Sequence, residues 1–339
     1  MQPEGARPTI RDVAQHAGVS KSLVSLVFRG SDLVTDDKRQ RVLASAEALG
    51  YHPNLVARSL KSDPSRSRVI GLVVCDLSQP WVSDVIAGVR PVLEEAGYQT
   101  LLSLLTPATE GEPTDFTSLA VFRDLGVAGI VAVGSLPEVE RMRALVLPDA
   151  LVFAGWSDPA RSFDAVRSDD ERGLAMLVDH LVERGHTRIA HAGGDGGEVG
   201  SDRERGYRAA MQRHGLQDRI RLARADFSIG GGYRAAKVLL DAPEGERPTA
   251  ITCINDLAAM GAQQAASELG ISVALTGYDD IEMSGLDAHA LTTIDPDSRA
   301  VGSTAASTLL ARLREERTSS TLGLIRPRLV TRSSSALPS

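Results

Sequence analysis

Short apolar runs alternate with amphipathic stretches along most of the 339-residue chain, and this alternation restricts its fold more than any other feature. The candidate strands are Val69–Val74, Gln99–Leu104, Gly129–Val133, Leu151–Phe153, Arg188–Ala192, Ile220–Ala223, Ala250–Cys253 and Val273–Thr276. The candidate helices between them include Val82–Ala96, Glu171–Arg184, Arg203–Arg213 and Asp256–Leu269. Strands that alternate with helices form parallel sheets covered on both faces, with ligands beyond the carboxyl ends of the strands. Residues 69–339 are therefore predicted to form an α/β body whose two lobes face each other across a cleft.

Residues 9–28 carry a different pattern, typical of two short helices joined by a tight turn. Thr9, with Asp12 three residues later, predicts a capping box at the start of the first helix. Gly18 can turn the chain at low steric cost, and Ser20 is suited to cap a second helix, Lys21–Phe28. With a third helix expected from Thr35 to Leu49 and Gly50, the pattern predicts an all-α helix-turn-helix head. A three-helix bundle with only a structural role is the alternative.

Charge is distributed unevenly between the two parts of the chain. Residues 1–68 contain 11 Lys and Arg and 7 Asp and Glu, a net charge of +4, whereas the rest of the chain carries −11. A basic head on an acidic body fits a protein that contacts phosphates with one end only. The overall charge of −7 therefore does not argue against nucleic-acid binding.

A short segment connects the head to the body. Pro53 can begin a helix, but a helix from there to Lys61 is too short to be stable alone. Residues 62–68 are polar and are interpreted as a linker. The predicted organisation is a helix-turn-helix domain at 1–61 that ends in a hinge helix at about 53–61, the linker, and an effector-binding domain at 69–339.

Other functional classes find little support in the sequence. Cys75 and Cys253 lie in apolar runs and are interpreted as reduced core thiols. The residues show no metal-binding spacing and no catalytic constellation, so we expect neither an enzyme nor a cofactor. No apolar run is long enough to span a bilayer, and Met1–Pro8 does not resemble a signal peptide, which makes the cytoplasm the expected location. The alternatives are a transporter's solute-binding protein, which the body alone would permit, and an enzyme on a doubly wound fold.

Several motifs resemble the lac/galactose repressor (LacI/GalR) family. In the head these are TIRDVAQHAGVSKSLVS and RVLASAEALGYHPNLVARSLK; in the body they are HLVERGHTRIAHAGG, RERGY, INDLAAMGA, GYDD and LTTI, in that order. The resemblance covers most of the chain and implies a body similar to periplasmic sugar-binding proteins. It further implies a homodimeric regulator, expected to be a repressor, that binds a near-palindromic DNA operator. Its effector is expected to be a sugar or related polyol, with a nucleobase or other metabolite as the alternative.

The resemblance also implies roles for individual head residues. Lys21 and Ser22 would read bases, while the flanking contacts to phosphates or neighbouring bases would come from Thr9, Arg11, Ser25 and Arg29. Ser20 and Leu26 complete the recognition helix; Leu26 stands where many members carry arginine, so it can pack only on a thymine methyl group. In the hinge, Asn54 precedes the helix, Ala57 lies at the contact between two hinges, and Leu60 would wedge into the minor groove.

In the body, the resemblance implies an effector site made of carboxylates, amides, an arginine and aromatic rings. The residues are Asp76, Gln79, Trp81, Trp156, Arg203, Phe227, Asn255, Asp256 and Asp279. Carboxylates and amides accept the hydroxyl groups of a polyol, arginine donates a fixed fork, and aromatic faces cover the C–H side. Gly155 and Trp156 stand where sugar-binding relatives often have Asp and Arg, so Trp156 is predicted to offer a stacking ring. The stretch 270–277 is shorter than in relatives, and the role of Asp279 depends on where the preceding strand begins.

Overall fold

The computed structural model describes residues 8–28, 31, 33–51, 67–106, 114–136, 138, 150–157, 162–195, 197–316 and 319–336. Contacts between residues divide the chain into two compact units, Met1–Asp63 and Pro64–Ser339. The predicted hinge helix and most of the predicted linker lie outside the described residues.

The head contains three helices, α1 (Ile10–His16), α2 (Lys21–Phe28) and α3 (Asp36–Ala48). One side chain from each helix, Val13, Val24 and Val42, lies in a shared core that excludes water. This arrangement confirms the three helices that the sequence predicts.

Both predicted helix caps are present in the head. The Asp12 carboxylate accepts the backbone N–H of Thr9 at 2.7 Å, which makes the predicted capping box, and Ser20 Oγ accepts the backbone N–H of Leu23 at 3.2 Å. Gly18 makes the turn between α1 and α2 with φ of +64°, a left-handed conformation that favours glycine.

The body begins with an N-terminal lobe and continues into a C-terminal lobe. The elements of the N-terminal lobe are β1 (Val69–Val74), α4 (Pro80–Glu95), β2 (Gln99–Leu104), α5 (Thr117–Asp124), β3 (Gly129–Val133), β4 (Leu151–Ala154) and β5 (Asp164–Ser168). The C-terminal lobe then contributes α6 (Asp170–Glu183), β6 (Ile189–Gly194), α7 (Gly197–Arg213), β7 (Arg221–Ala225), α8 (Ile229–Leu240), β8 (Ala250–Cys253), α9 (Asp256–Leu269), β9 (Ala274–Thr276) and β10 (Thr293–Asp295). The chain returns to the first lobe with α10 (Ser298–Leu313) and β11 (Leu322–Ile325), and β12 (Arg328–Val330) pairs again in the second.

Each lobe is built on a parallel sheet, as predicted. The N-terminal sheet has the strand order β11-β5-β4-β3-β1-β2, and the C-terminal sheet has the order β7-β6-β8-β9. The strands β10 and β12 form a separate antiparallel pair. Three chain crossings, after β5, β10 and β11, therefore join the lobes and leave a cleft between them.

Glycines set the spacing between the helices that flank this cleft. Gly88 of α4 lies against the backbone carbonyl of Arg299 in α10, and Gly302 of α10 lies against that of Val85 in α4. A side chain at either glycine would collide with the facing backbone. The two helices therefore approach closely, which brings Val85 of α4 and Ser298 of α10 to the wall of the cleft.

The structure corrects several boundaries of the sequence analysis. The strands β5, β10, β11 and β12 were not predicted, because β5, β10 and β12 carry polar or charged residues and β11 is only four residues long. The helix α7 begins at Gly197, six residues before the predicted start at Arg203. Cys253 is fully buried, as expected, but Cys75 follows β1 and lines the cleft, so the prediction of two core thiols is wrong for Cys75.

Candidate functional site

A cavity of about 240 Å³ opens between the two lobes, beyond the carboxyl ends of strands from both sheets. Six of the nine residues predicted for the effector site line it: Asp76, Gln79, Trp81, Arg203, Phe227 and Asp279. They come from different elements and from both lobes. A molecule bound here would therefore contact both lobes at once.

Trp156 does not lie in the cavity, and the expectation that it stacks on an effector is wrong. Its side chain is buried and packs edge-on against Phe153, with ring centroids 4.8 Å apart. Phe163 also packs edge-on against Phe153, and all three rings belong to the core of the N-terminal lobe. The residue that follows β4 toward the cavity is Gly155, and Trp156 turns away from it into the core of the N-terminal lobe.

The ring that faces the cavity from this region is that of Trp81, at the start of α4. Gly155 has φ of +87°, and a Cβ atom there would lie 2.7 Å from the Trp81 ring. Gly134, also at positive φ, lies beside the same ring at ordinary contact distance. The glycine at 155 therefore makes room for Trp81, which explains why a charged residue is absent at this position.

Asn255 and Asp256 lie behind the cavity wall. The Asn255 side chain caps α9 by accepting the backbone N–H of Ala258 at 2.9 Å, and it donates to the carbonyl oxygen of Phe227 at 3.2 Å. Asp256 accepts hydrogen bonds from the Thr293 hydroxyl at 2.5 Å and from the backbone N–H of Ile281 at 2.9 Å. These two residues support the site and are not part of its surface, which corrects their predicted place in it.

The surroundings of Asp256 favour its uncharged form. Burial, together with the nearby carboxylate of Asp279, raises the pKa of Asp256 to about 8. Burial also raises the pKa of Asp279 to about 6, although Arg203 opposes this shift. Both carboxyl groups are therefore expected to bind a proton at a higher pH than an exposed aspartate does.

Arg203 is the most constrained polar group in the cavity wall. Its Nε donates to Asp170 Oδ1 at 2.9 Å, its Nη1 to the carbonyl oxygen of Ile254 at 2.5 Å, and its Nη2 to Asp279 Oδ1 at 3.4 Å. Its Cζ lies 3.6 Å from the centroid of the Tyr278 ring. Burial alone would lower the pKa of Arg203, but Asp170 and Asp279 raise it above its ordinary value. The guanidinium is therefore charged and held in a fixed orientation.

The opposite wall is more open to solvent. The Asp76 carboxylate accepts the backbone N–H of Ser78 at 2.8 Å and the side-chain amide of Gln79 at 3.3 Å. Hydrogen bonds from Ser78 lower the pKa of Asp76, so this group is ionised at neutral pH. Asp76 can accept donors from a bound molecule, while Trp81 and Phe227 offer aromatic faces and Val82 and Val85 offer aliphatic contact.

The charged residues that surround Arg203 were not predicted from the sequence. Asp170 lines the cavity, and Arg167 and Asp202 lie just beyond it. An arginine inside a strand that is buried along its whole length, as Arg167 is in β5, was the one available signal. Because β5 was not predicted as a strand, that signal could not be recognised.

In the head, Thr9, Arg11, Lys21 and Ser22 are exposed. Lys21 and Ser22 are the first two residues of α2, next to the capping residue Ser20. Ser25 and Leu26 are half-buried, and Leu26 packs against the core of the head. The remaining predicted DNA contacts, Arg29, Asn54, Ala57 and Leu60, lie outside the described residues.

The part of the chain that the structure describes shows neither a metal-binding cluster nor a membrane-spanning helix. Among them, no group of three or more histidine, cysteine or acidic side chains is arranged to hold a metal ion. None of the helices in the described ranges has the length and apolar character that crossing a bilayer requires.

Comparison with known proteins identifies the family. Residues 9–54 match the model of the bacterial regulatory proteins of the lacI family, and residues 178–335 match that of a periplasmic binding protein-like domain. The chain is 31% identical over 335 residues to the HTH-type transcriptional repressor PurR of Aliivibrio fischeri strain MJ11, covering 96% of this chain and 98% of that protein. The chain belongs to the LacI family. This membership confirms the resemblance found in the sequence, and it makes the chain a DNA-binding transcriptional regulator with a ligand-binding domain.

Solved structures of LacI-family proteins share the fold. The crystal structure of the lac repressor dimer bound to operator and the anti-inducer ONPF matches with a TM-score of 0.84 and 27% identity, covering 98% of this chain and all of that one. The complex of the transcriptional regulator CelR with cellobiose matches with a TM-score of 0.68 and 25% identity, covering 97% and 100% of the two chains. The predicted fold class, a helical head with a two-lobed α/β body, is confirmed.

Proposed function

We propose that this LacI-family chain is a homodimeric repressor whose affinity for a near-palindromic operator is controlled by a small molecule bound in the cleft. The observation that carries the proposal is the cavity, because its wall combines residues from both lobes with a fixed arginine. A ligand that binds one arrangement of the lobes more tightly shifts the chain toward that arrangement. Operator affinity then changes by the difference in ligand affinity between the two arrangements.

The head supports the DNA-binding part of the proposal. An exposed lysine and serine at the start of α2 suit entry into a major groove, where the first residues of a recognition helix meet base edges. Arg11 and Thr9 are exposed beside them and suit contacts to phosphate. Leu26 packs against the core of the head, so we assign it mainly to stability and only its outer edge to a thymine methyl group.

The proposed homodimer rests on symmetry and on an exposed edge of the N-terminal sheet. A two-fold operator is matched by a two-fold protein, and the lac repressor structure named above is a dimer on its operator. On the edge strand β2, Leu102 and Leu104 are 45% and 52% exposed. Exposed leucines on a sheet edge favour burial against a second copy.

For the effector we propose a sugar or related polyol. The ionised Asp76 can accept hydroxyl donors, the amide of Gln79 lies beside it, and the rings of Trp81 and Phe227 can cover a C–H face. The complex of CelR with cellobiose shows that this fold can hold a sugar. A nucleobase is the second candidate, because two aromatic rings in one cavity also suit a flat ligand, and the relative named above is called PurR.

A two-step experiment tests the function. Purified protein is screened against sugars, polyols, nucleobases and nucleosides by thermal shift, and operator binding is then measured with each compound that stabilises it. We expect at least one such compound to change operator affinity in the wild type, and Arg203→Ala to retain DNA binding without this response. The proposal is wrong if compounds stabilise the protein but none changes operator affinity, or if Arg203→Ala responds at wild-type concentrations.

A further inference from the structure

A buried arginine of β5, Arg167, makes ion pairs and a hydrogen bond with three other residues. Arg167 belongs to β5, and its side chain is only 4% exposed. Its Nη2 lies 2.7 Å from Asp170 Oδ2 and 2.5 Å from Asp202 Oδ2. Its Nη1 donates to Ser157 Oγ at 3.4 Å. A single guanidinium therefore holds two carboxylates in a region from which water is nearly excluded.

These partners belong to different lobes. Arg167 and Ser157 are part of the N-terminal lobe, Asp202 lies on α7 of the C-terminal lobe, and Asp170 is the first residue of α6, directly after the first crossing. The ion pair between Arg167 and Asp202 thus spans the cleft. The ion pair between Arg167 and Asp170 lies at the point where the chain first crosses between the lobes.

A second contact brings α7 against the N-terminal lobe. Val199, three residues before Asp202 and so on the same face of the helix, packs against the aromatic and aliphatic cluster of that lobe. Val199 also lines the cavity. The first turns of α7 therefore touch the opposite lobe through both an apolar and an ionic contact.

The same ion pairs continue into the effector site. Asp170 uses Oδ2 for Arg167 and Oδ1 for Arg203, at 2.7 and 2.9 Å, and Arg203 in turn reaches Asp279. All of these side chains except that of Asp202, at 13%, are less than 10% exposed. Two buried cations are thus matched by three carboxylates in one continuous chain, from β5 to the cavity wall.

We propose that Arg167 is a positioning residue that ties the N-terminal lobe to α7 across the cleft and, through Asp170, fixes Arg203 in the cavity wall. Its removal leaves Asp170 paired only with Arg203 and Asp202 paired only with the exposed Arg205, so the carboxylate oxygens that faced Arg167 lose their partner, and this is costly unless water enters. The least disruptive way to admit water is to separate α7 from β5, which opens the lobes. The link between the lobes does not depend on the proposed effector; only its consequence for ligand affinity rests on that function.

The test measures the distance between the lobes without ligand or DNA. Spin labels are placed at Glu95 of α4 and Glu246 of the C-terminal lobe, both exposed, with Cys75 replaced by serine in every sample. Labelled chain is mixed with excess unlabelled chain, so that a dimer carries one labelled copy. Arg167→Met and Asp202→Asn are compared with wild type by dipolar spectroscopy, and circular dichroism reports folding.

We expect both variants to give a longer and broader distance distribution. Arg167→Lys is expected to be intermediate, since lysine keeps the charge but its shorter side chain loses the Ser157 contact of Nη1 and does not place its ammonium where Nη2 lies. Arg205→Met is the matched control. Arg205 also pairs with Asp202, but it lies on the same helix and is 53% exposed, so its loss is expected to leave the distance unchanged.

The proposal is overturned if Asp202→Asn is folded and shows the wild-type distance, or if Arg205→Met opens the lobes equally. Asp202→Asn keeps the size of the side chain, so it decides the matter even if Arg167→Met does not fold. A failure to bind any operator would contradict the proposed function and leave the distances unaffected, so the two outcomes are distinguishable.

Discussion

At the scale of single residues, the cavity depends on a pair that looks unrelated in the sequence, Gly155 and Trp81. At the level of sequence, the family resemblance implied a place for Trp81 in the effector site, and Trp156 was predicted to stack there because it stands where sugar-binding relatives often have Arg. Packing distinguishes them: Trp156 packs on Phe153, which also packs on Phe163, whereas Trp81 has Gly155 against its ring. Gly155 is far from Trp81 in the chain, so a local pattern cannot predict their contact.

Two glycine variants isolate the contact with Trp81. Gly155→Ala and Gly134→Ala both place a side chain at positive φ, but the new Cβ would lie 2.7 Å from the Trp81 ring at 155 and 3.6 Å at 134. We expect Gly155→Ala to lower the free energy of unfolding by about 1–3 kcal/mol more than Gly134→Ala, because the ring must move. Chemical denaturation measures both; equal costs would mean that the ring is not confined by Gly155.

Asp256 provides a prediction about pH. Its pKa is raised to about 8 in the folded state, mainly by burial, from an ordinary value of 3.8. Between these values Asp256 binds its proton more tightly in the folded protein than in the unfolded chain, so its own contribution to stability falls as pH rises from about 4 to about 8. We expect the stability of Asp256→Asn to decline less over this pH range than that of the wild type. Each kcal/mol of difference in the free energy of unfolding corresponds to about 3 °C in Tm.

Thermal unfolding at pH 5, 6, 7 and 8 checks this expectation. Asp218→Asn, at an exposed position of the same lobe, controls for the loss of one negative charge. If Asp256→Asn left the dependence of Tm on pH the same as in the wild type, the burial of an uncharged carboxyl group would be contradicted.

At the scale of elements, prediction succeeded where periodicity was strong and failed where elements were short. The helices of the head and the strands β1, β2, β3 and β8 match their predicted bounds to within about one residue. The missed strands β10 and β12 have three residues each, too few to show a period. The start of α7 was predicted six residues too late, because the glycines in its first turn are unfavourable in helices and hide the helical pattern. The ion pairs around Arg203 were not predicted either, because Arg167 lies in β5 and this strand was not predicted.

The recognition helix α2 yields a direct prediction. Lys21→Ala is expected to weaken operator binding by about 1–3 kcal/mol and to relax base preference at the contacted position, because a base contact is lost. Lys38→Ala removes the same charge from an exposed position on α3 and is expected to have a smaller effect, equal on all sequences. Fluorescence anisotropy on operator and scrambled duplexes measures both. Equal losses for the two variants would argue against base reading by α2.

The packing of α4 on α10 gives a second prediction for elements. Gly88→Ala would direct a methyl group into the backbone carbonyl of Arg299, so we expect a loss of about 1–3 kcal/mol in the free energy of unfolding. Gly245→Ala has no neighbour within 4 Å and is the matched control. Urea denaturation compares them. A cost for Gly88→Ala no larger than that of the control would contradict the close approach of the two helices.

At the scale of the whole molecule, the sequence and the structure both assign DNA contact to the head and ligand binding to the body. The head is basic and has exposed donors at the start of α2, while the acidic body encloses a cavity between lobes that three chain crossings join. Family membership links the two parts, since regulators of this kind bind DNA with one and a ligand with the other. The motifs of the head and body predicted this order; the identity of the ligand depends on side-chain geometry that motifs do not encode.

The most direct test of this account is the operator affinity of the full chain in the presence and absence of a compound that binds the cleft. Duplexes selected from a random pool provide the operator, and a scrambled duplex of equal length provides the reference. The account predicts a preference for the selected duplex of at least about 10³-fold in one ligand state. It also predicts a change in that preference when the compound is added, which Arg203→Ala abolishes. A preference near unity with and without every compound that stabilises the protein would contradict it.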